Sequence, residues 1–133
     1  MSEFEFNRDD ERRHEIIGIG IRPGYDIVHF SGLTAEQAQT LLAERFADGD
    51  DAQNDAPSFA EIVQFLESNP SFRAHGYAVT PSRSDYRVTL EGVESATGCK
   101  PTKKEIEAYI DFGRHADEFD FDLKTGNCRA WWD

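Results

Sequence analysis

Two groups of residues in this chain have the types and spacing to do chemistry. The first is Cys99, Lys100, Thr102, Lys103 and Lys104, a thiol and three ammonium groups where a helix is expected to begin. Backbone donors at a helix start and nearby cations both favour an anion, and the same setting favours a thiolate. That is the chemistry of a small enzyme, or of a ligand-binding domain that holds an anionic group. The plain alternative is an inert thiol beside surface lysines. No base partner for Cys99 stands out, and lysines in a first helical turn cost only about a few tenths of a kcal/mol when they merely face water.

The second group is Glu118, Asp120 and Asp122 with Arg129 and Trp131. Side chains alternate across a strand, so if Phe119, Phe121 and Leu123 face a core, the three acids line the opposite face. On the returning strand, inward Cys128, Ala130 and Trp132 would leave Arg129 and Trp131 among those acids. Like charges two residues apart serve no evident folding purpose, and an outward Trp beside carboxylates suits a partner that carries Arg or Lys. The competing reading is a solvated acidic face over a Trp131-Trp132 pair that closes the core from both sides.

Acid is concentrated well beyond that strand. The formal net charge is −12, and two runs with no base among them carry eight acids: Asp48, Asp50, Asp51 and Asp55, then Asp117, Glu118, Asp120 and Asp122. Such a field attracts cationic surfaces and repels nucleic acid and anionic lipid. The expected partner is therefore a basic protein, with no direct nucleic-acid or membrane contact.

Other candidate motifs fail on spacing. Gly18-Ile19-Gly20 begins like a dinucleotide fingerprint, but Pro23 stands at the third glycine position. Gly98 is six residues after Gly92 and is separated from Lys100 by Cys99, which excludes a phosphate-binding loop of the nucleotide triphosphatases. The Asp48 run places Ala52, Gln53 and Phe59 where an EF-hand requires a ligand, a glycine and a bidentate acid. His14, His29, His75 and His115 are scattered singly. No catalytic residues, metal or cofactor are assigned.

The elements that must position these groups are marked by three hydroxyl residues, each followed three positions later by Glu or Gln: Thr34 with Gln37, Ser58 with Glu61, and Thr102 with Glu105. These are capping boxes, and apolar stripes at helical spacing follow each one. Helices are predicted from Thr34 to near Asp48, from Ser58 to Asn69-Pro70, and from Thr102 to about Ala116. Period-two alternation predicts strands around Ile17, Ile19 and Ile21, at Tyr25–Phe30, His75–Thr80 and Tyr86–Glu91, and in a C-terminal hairpin turning at Lys124-Thr125-Gly126-Asn127. Arg22-Pro23-Gly24-Tyr25 reads as a turn.

The sum is one α+β domain over residues 1–133: a mostly antiparallel sheet with helices on one face, a ferredoxin-like core, an inserted helix after Ser58 and the C-terminal hairpin. Residues 1–13 form a polar N-terminal segment and residues 48–57 a mobile acidic loop. The 38% hydrophobic content, with ten Phe and two Trp, is enough for one core. No stretch approaches the roughly 20 apolar residues of a membrane span, and no leader pattern opens the chain. A cytoplasmic protein is expected, with Cys99 and Cys128 as reduced thiols, as a monomer or weak homodimer.

The helix after Thr34, the run Gly76-Tyr77-Ala78-Val79-Thr80 and the segment Ala116-Asp117-Glu118-Phe119-Asp120 resemble the acidic bacterial protein inhibitors of ribonuclease E. The resemblance spans about half of the chain, and residues from Asp48 to Phe72 depart from the pattern, so no family is assigned on it. The leading expectation is a small acidic noncatalytic protein-binding domain, an inhibitor, immunity protein or regulator of a basic, nucleic-acid-acting protein. The alternatives are the small enzyme or ligand-binding domain with its anion site at Cys99–Lys104, and a structural or accessory protein.

Overall fold

The computed structural model describes residues 4–18, 26–52, 56–122 and 124–132. Within them the element order is α1 (Asp10–Ile17), β1 (Ile27–Leu33), α2 (Ala35–Ala43), α3 (Phe59–Ser68), β2 (Phe72–Val79), β3 (Val88–Ser95), α4 (Lys103–Gly113), β4 (Glu118–Phe121) and β5 (Cys128–Trp131). The five strands form one sheet in the order β1-β2-β3-β5-β4, with every neighbouring pair antiparallel. The chain is thus an α+β protein. None of its described helices is long and apolar enough to cross a membrane. A split β-α-β core of the ferredoxin type contains a parallel pair; here β1 lies at an edge, beside β2, so the strand order does not establish that core.

All three capping boxes form as their spacing requires. Thr34, Ser58 and Thr102 each accept from the backbone three residues on, while Gln37, Glu61 and Glu105 reach back to the cap. The Glu105 carboxylate does more. It also accepts from the Ser71 backbone N–H at 2.9 Å and the Ser71 hydroxyl at 2.8 Å, which ties the start of α4 to the entrance of β2. Burial would raise the pKa of Glu105, but these donors and those of the cap hold it below the usual carboxylate value.

The core lies between the sheet and the helices. From α3 come Phe59, Ile62, Val63, Phe65 and Leu66, from α2 Ala38 and Leu41, and from the sheet Phe30, Phe72, Ala74, Ala78, Val88, Leu90 and Val93. Under the hairpin the core is aromatic: Phe72 stacks on Tyr109, Tyr109 on Phe119, and Phe65 on Phe112, which meets Trp132 edge-on. Such pairs add about 0.5–1.5 kcal/mol each beyond their area.

The N-terminal reading needs correction. Residues expected to be a polar segment and the first part of a strand form α1, which opens at Asp9, whose side chain accepts from the Arg12 N–H, and closes at Gly18 with φ of 81°. Ile16 and Ile17 are both buried, which a helix packed on α2 permits and the expected alternation does not. Ile19, Ile21 and the Arg22–Tyr25 turn lie outside the described residues. So do Gln53 to Asp55 of the acidic loop. Its preceding residues are bonded in place: Phe59 N–H donates to the Asp51 carbonyl, Ala60 N–H to the Gly49 carbonyl, and the Thr89 hydroxyl to the Asp51 carboxylate. The other strands start and end a few residues from their expected positions, as ends set by pairing rather than by local alternation do.

Arg13 is what makes α1 part of the fold. It is 1% exposed, lies over the Tyr86 ring at 4.0 Å, pairs with Asp10 at 2.9 Å and donates to the Val79 carbonyl at 2.8 Å and the Arg87 carbonyl at 3.3 Å. Arg13→Ala removes a paired charge, its stem packing and the donors to two carbonyls. It is expected to destabilise the protein by about 3 kcal/mol, read as a lower urea midpoint at unchanged slope. A change within about 0.5 kcal/mol would show that α1 is only loosely attached.

Candidate protein-binding face

Strand parity sorts the two faces of the C-terminal hairpin. In β4 and β5, Glu118 is paired with Trp131, Phe119 with Ala130, Asp120 with Arg129 and Phe121 with Cys128. Cys128, Ala130 and Trp132 are buried and Phe119 and Phe121 half-buried toward the core, while Glu118, Asp120 and Arg129 are exposed and Trp131 is half-buried on the outer face. Burial raises the Cys128 thiol to about 11, so it is a small hydrophobe here. Leu123 lies outside the described residues.

The structure therefore brings Glu118, Asp120, Arg129 and Trp131 together. Arg129 reaches the Glu118 carboxylate at 3.4 Å and holds its guanidinium 5.3 Å from the centre of the Trp131 ring. The Trp131 indole N–H donates to Glu91 Oε2 at 3.2 Å, and Glu91 Oε1 is 3.5 Å from His29 Nδ1. The indole is thus braced on two sides and holds one orientation. Asp122 is placed differently: its carboxylate accepts from the Lys124 N–H and its carbonyl from the Gly126 N–H, so it shapes the turn at the end of the same face.

Two open grooves run over this face. One, of about 670 Å³, is lined by Glu94, Asp120, Asp122 and Arg129 with neighbouring residues; the other, of about 540 Å³, by His29, His75, Glu91, Glu94, Arg129 and Trp131 among others. Glu94 and Arg129 border both. Acids outnumber bases along them; from sequence His75 is one of four scattered histidines, Gly92 a glycine at the wrong spacing for a phosphate loop, and neither Glu91 nor Glu94 is a candidate site residue. The one available signal was Gly92, which interrupts the alternation of its strand.

His75 is 6% exposed, and among the described residues its Nε2 has no hydrogen-bond partner. Burial drives its pKa down to about 4, the nearby Arg129 charge acts the same way, and the Ala130 carbonyl opposes them. The imidazole is neutral at neutral pH. Glu94 is shifted upward by burial, against the pull of Arg129.

The Cys99–Lys104 group lines neither groove. Cys99, Lys100, Thr102, Lys103 and Lys104 are all exposed, and Lys100 and Pro101 lie against Gly126 of the hairpin turn. The Thr102 and Glu105 backbone donors at this helix start are taken by the capping box, so the anion already seated there is the protein's own Glu105. Among the described residues no group of three or more His, Cys, Asp or Glu is placed to hold a metal ion. The chain matches no protein family, no curated protein and no solved structure, and its chemistry alone must indicate its role.

Because the folded-state pKa of His75 lies below its unfolded value, the unfolded chain takes up the proton first as pH falls. Stability is unaffected by this group above about pH 6.5 and is lost progressively down to about pH 4, by roughly 3 kcal/mol in all. His75→Leu is expected to flatten this part of the acid profile in denaturant unfolding at a series of pH values. An unchanged profile would show that His75 titrates normally in the fold.

Proposed function

We propose that this chain is a small acidic noncatalytic protein-binding domain, acting as an inhibitor, immunity protein or regulator of a basic, nucleic-acid-acting protein, and that the outer face of the C-terminal hairpin makes the contact. The observation that carries this reading is the shared face of Glu118, Asp120, Arg129 and Trp131, with an indole held in one orientation among carboxylates. Complementary charge raises the rate of encounter, and a fixed aromatic contributes binding energy without having to be ordered on contact. A cytoplasmic location and a monomeric or weakly dimeric state accompany the proposal.

Changing Asp120 and Asp122 together to Asn keeps the turn-forming acceptor at Asp122 and removes two charges. Stability is expected to stay within about 0.5 kcal/mol, while capture of the basic partner from a native lysate weakens and loses much of its salt dependence. Trp131→Ala is expected to act through the dissociation rate, at about 2 kcal/mol or more. A native partner that both variants bind as tightly as the parent would overturn the assignment of this face.

A further inference from the structure

We propose that the groove bordered by His75, Glu94 and Trp131 receives an arginine side chain of the basic partner, with Glu94 as its counter-charge. The inference rests on the acidic-face reading above and names the group that enters it. Gly92 is opposite His75 on β2 and Trp131 on β5, and the His75 ring packs directly over the bare glycine, so that imidazole and indole both border the groove. The glycine is obligatory for this packing: a Cβ at Gly92 would run into the Ala130 carbonyl and come within 2.8 Å of His75 Nε2.

Of the two acids lining the groove, Glu91 and Glu94, Glu91 is already engaged with Trp131 and His29. The Glu94 carboxylate is half-buried and, among the described residues, makes no hydrogen bond or ion pair. Arg129, opposite Glu94 in register, gives its hydrogen bond to Glu118 instead. Beside this unspent carboxylate, His75 is more than nine-tenths buried in the wall with Nε2 unpartnered, and as a neutral ring it offers no charge against an incoming cation. The volume of about 540 Å³ admits a long side chain.

Arginine fits better than lysine on three counts. Its planar fork meets a carboxylate with two donors, it stacks on aromatic rings, and it is the more weakly hydrated cation, so partial burial costs it less. Trp131 supplies the ring and Glu94 the carboxylate.

The test uses the full chain and two short peptides, one of alternating arginine and glycine and the other with lysine replacing arginine, titrated while the Trp131 indole is followed by NMR. Glu94→Gln is compared with the Asp120→Asn, Asp122→Asn double variant and with Glu67→Gln, an exposed charge on α3. The expected result is preference for the arginine peptide, a loss of roughly tenfold in Glu94→Gln and less than about threefold in Glu67→Gln. If the double variant weakens binding and Glu94→Gln behaves like Glu67→Gln, the arginine site is wrong and the acidic face stands. If none of the three differs from the others, both fail. Equal binding of the two peptides by the parent chain also overturns the arginine assignment.

Discussion

The close approach of three neighbouring strands at two glycines is the constraint on which the rest of the structure depends. A Cβ at Gly76 would fall on the Thr89 carbonyl, and one at Gly92 on the Ala130 carbonyl. Between them the β2–β3 pairing changes register, from His75 opposite Gly92 to Gly76 opposite Leu90. This irregularity leaves one residue of β3 unmatched and aims side chains differently on its two sides. Val88 and Leu90 before it, and Val93 after it, are all buried in the one core, despite a spacing that strict alternation would split between faces. Without the shift, the second half of β3 would present the wrong face to α3 and to the hairpin.

The outer face is a consequence of that arrangement. In β5 and β4 the side chains that alternate away from the core, Glu118, Asp120, Arg129 and Trp131, are exposed or half-buried. The bare Gly92 lets the His75 ring pack directly over β3. The Trp131 indole is held by Glu91 and Arg129. Burial keeps His75 neutral and shifts Glu94 upward against the pull of Arg129, and among the described residues the Glu94 carboxylate makes no hydrogen bond or ion pair.

Two buried ionic groups join elements far apart in the chain. Arg13 fastens α1 to the β2–β3 connection through Tyr86, Val79 and Arg87, and Glu105 fastens α4 to Ser71 at the start of β2. In both, a charge leaves water only because several hydrogen bonds satisfy it. The Glu105 link also explains why the start of α4, a natural place for a bound anion, is occupied from within.

What the sequence determined by itself was local. The capping boxes at Thr34, Ser58 and Thr102 and the stripes after them depend on contacts within one helical turn, so three helices and their starts were legible. The parity of Phe119, Phe121 and Cys128 through Trp132 depends only on the two-residue period of a strand, so the outward placement of Glu118, Asp120, Arg129 and Trp131 was legible too. The tertiary structure decided what depends on partners distant in the chain. Residues 10–17 form a helix because Arg13, Ile16 and Ile17 are buried against elements that follow much later, while the alternation around Ile17, Ile19 and Ile21 suggested a strand. The strand order was equally hidden, since periodicity says which face is buried but not which strand lies alongside. The groove bordered by His75, Glu94 and Trp131 exists only once three strands are in register, because it depends on side chains from separate strands that the sequence does not place beside one another.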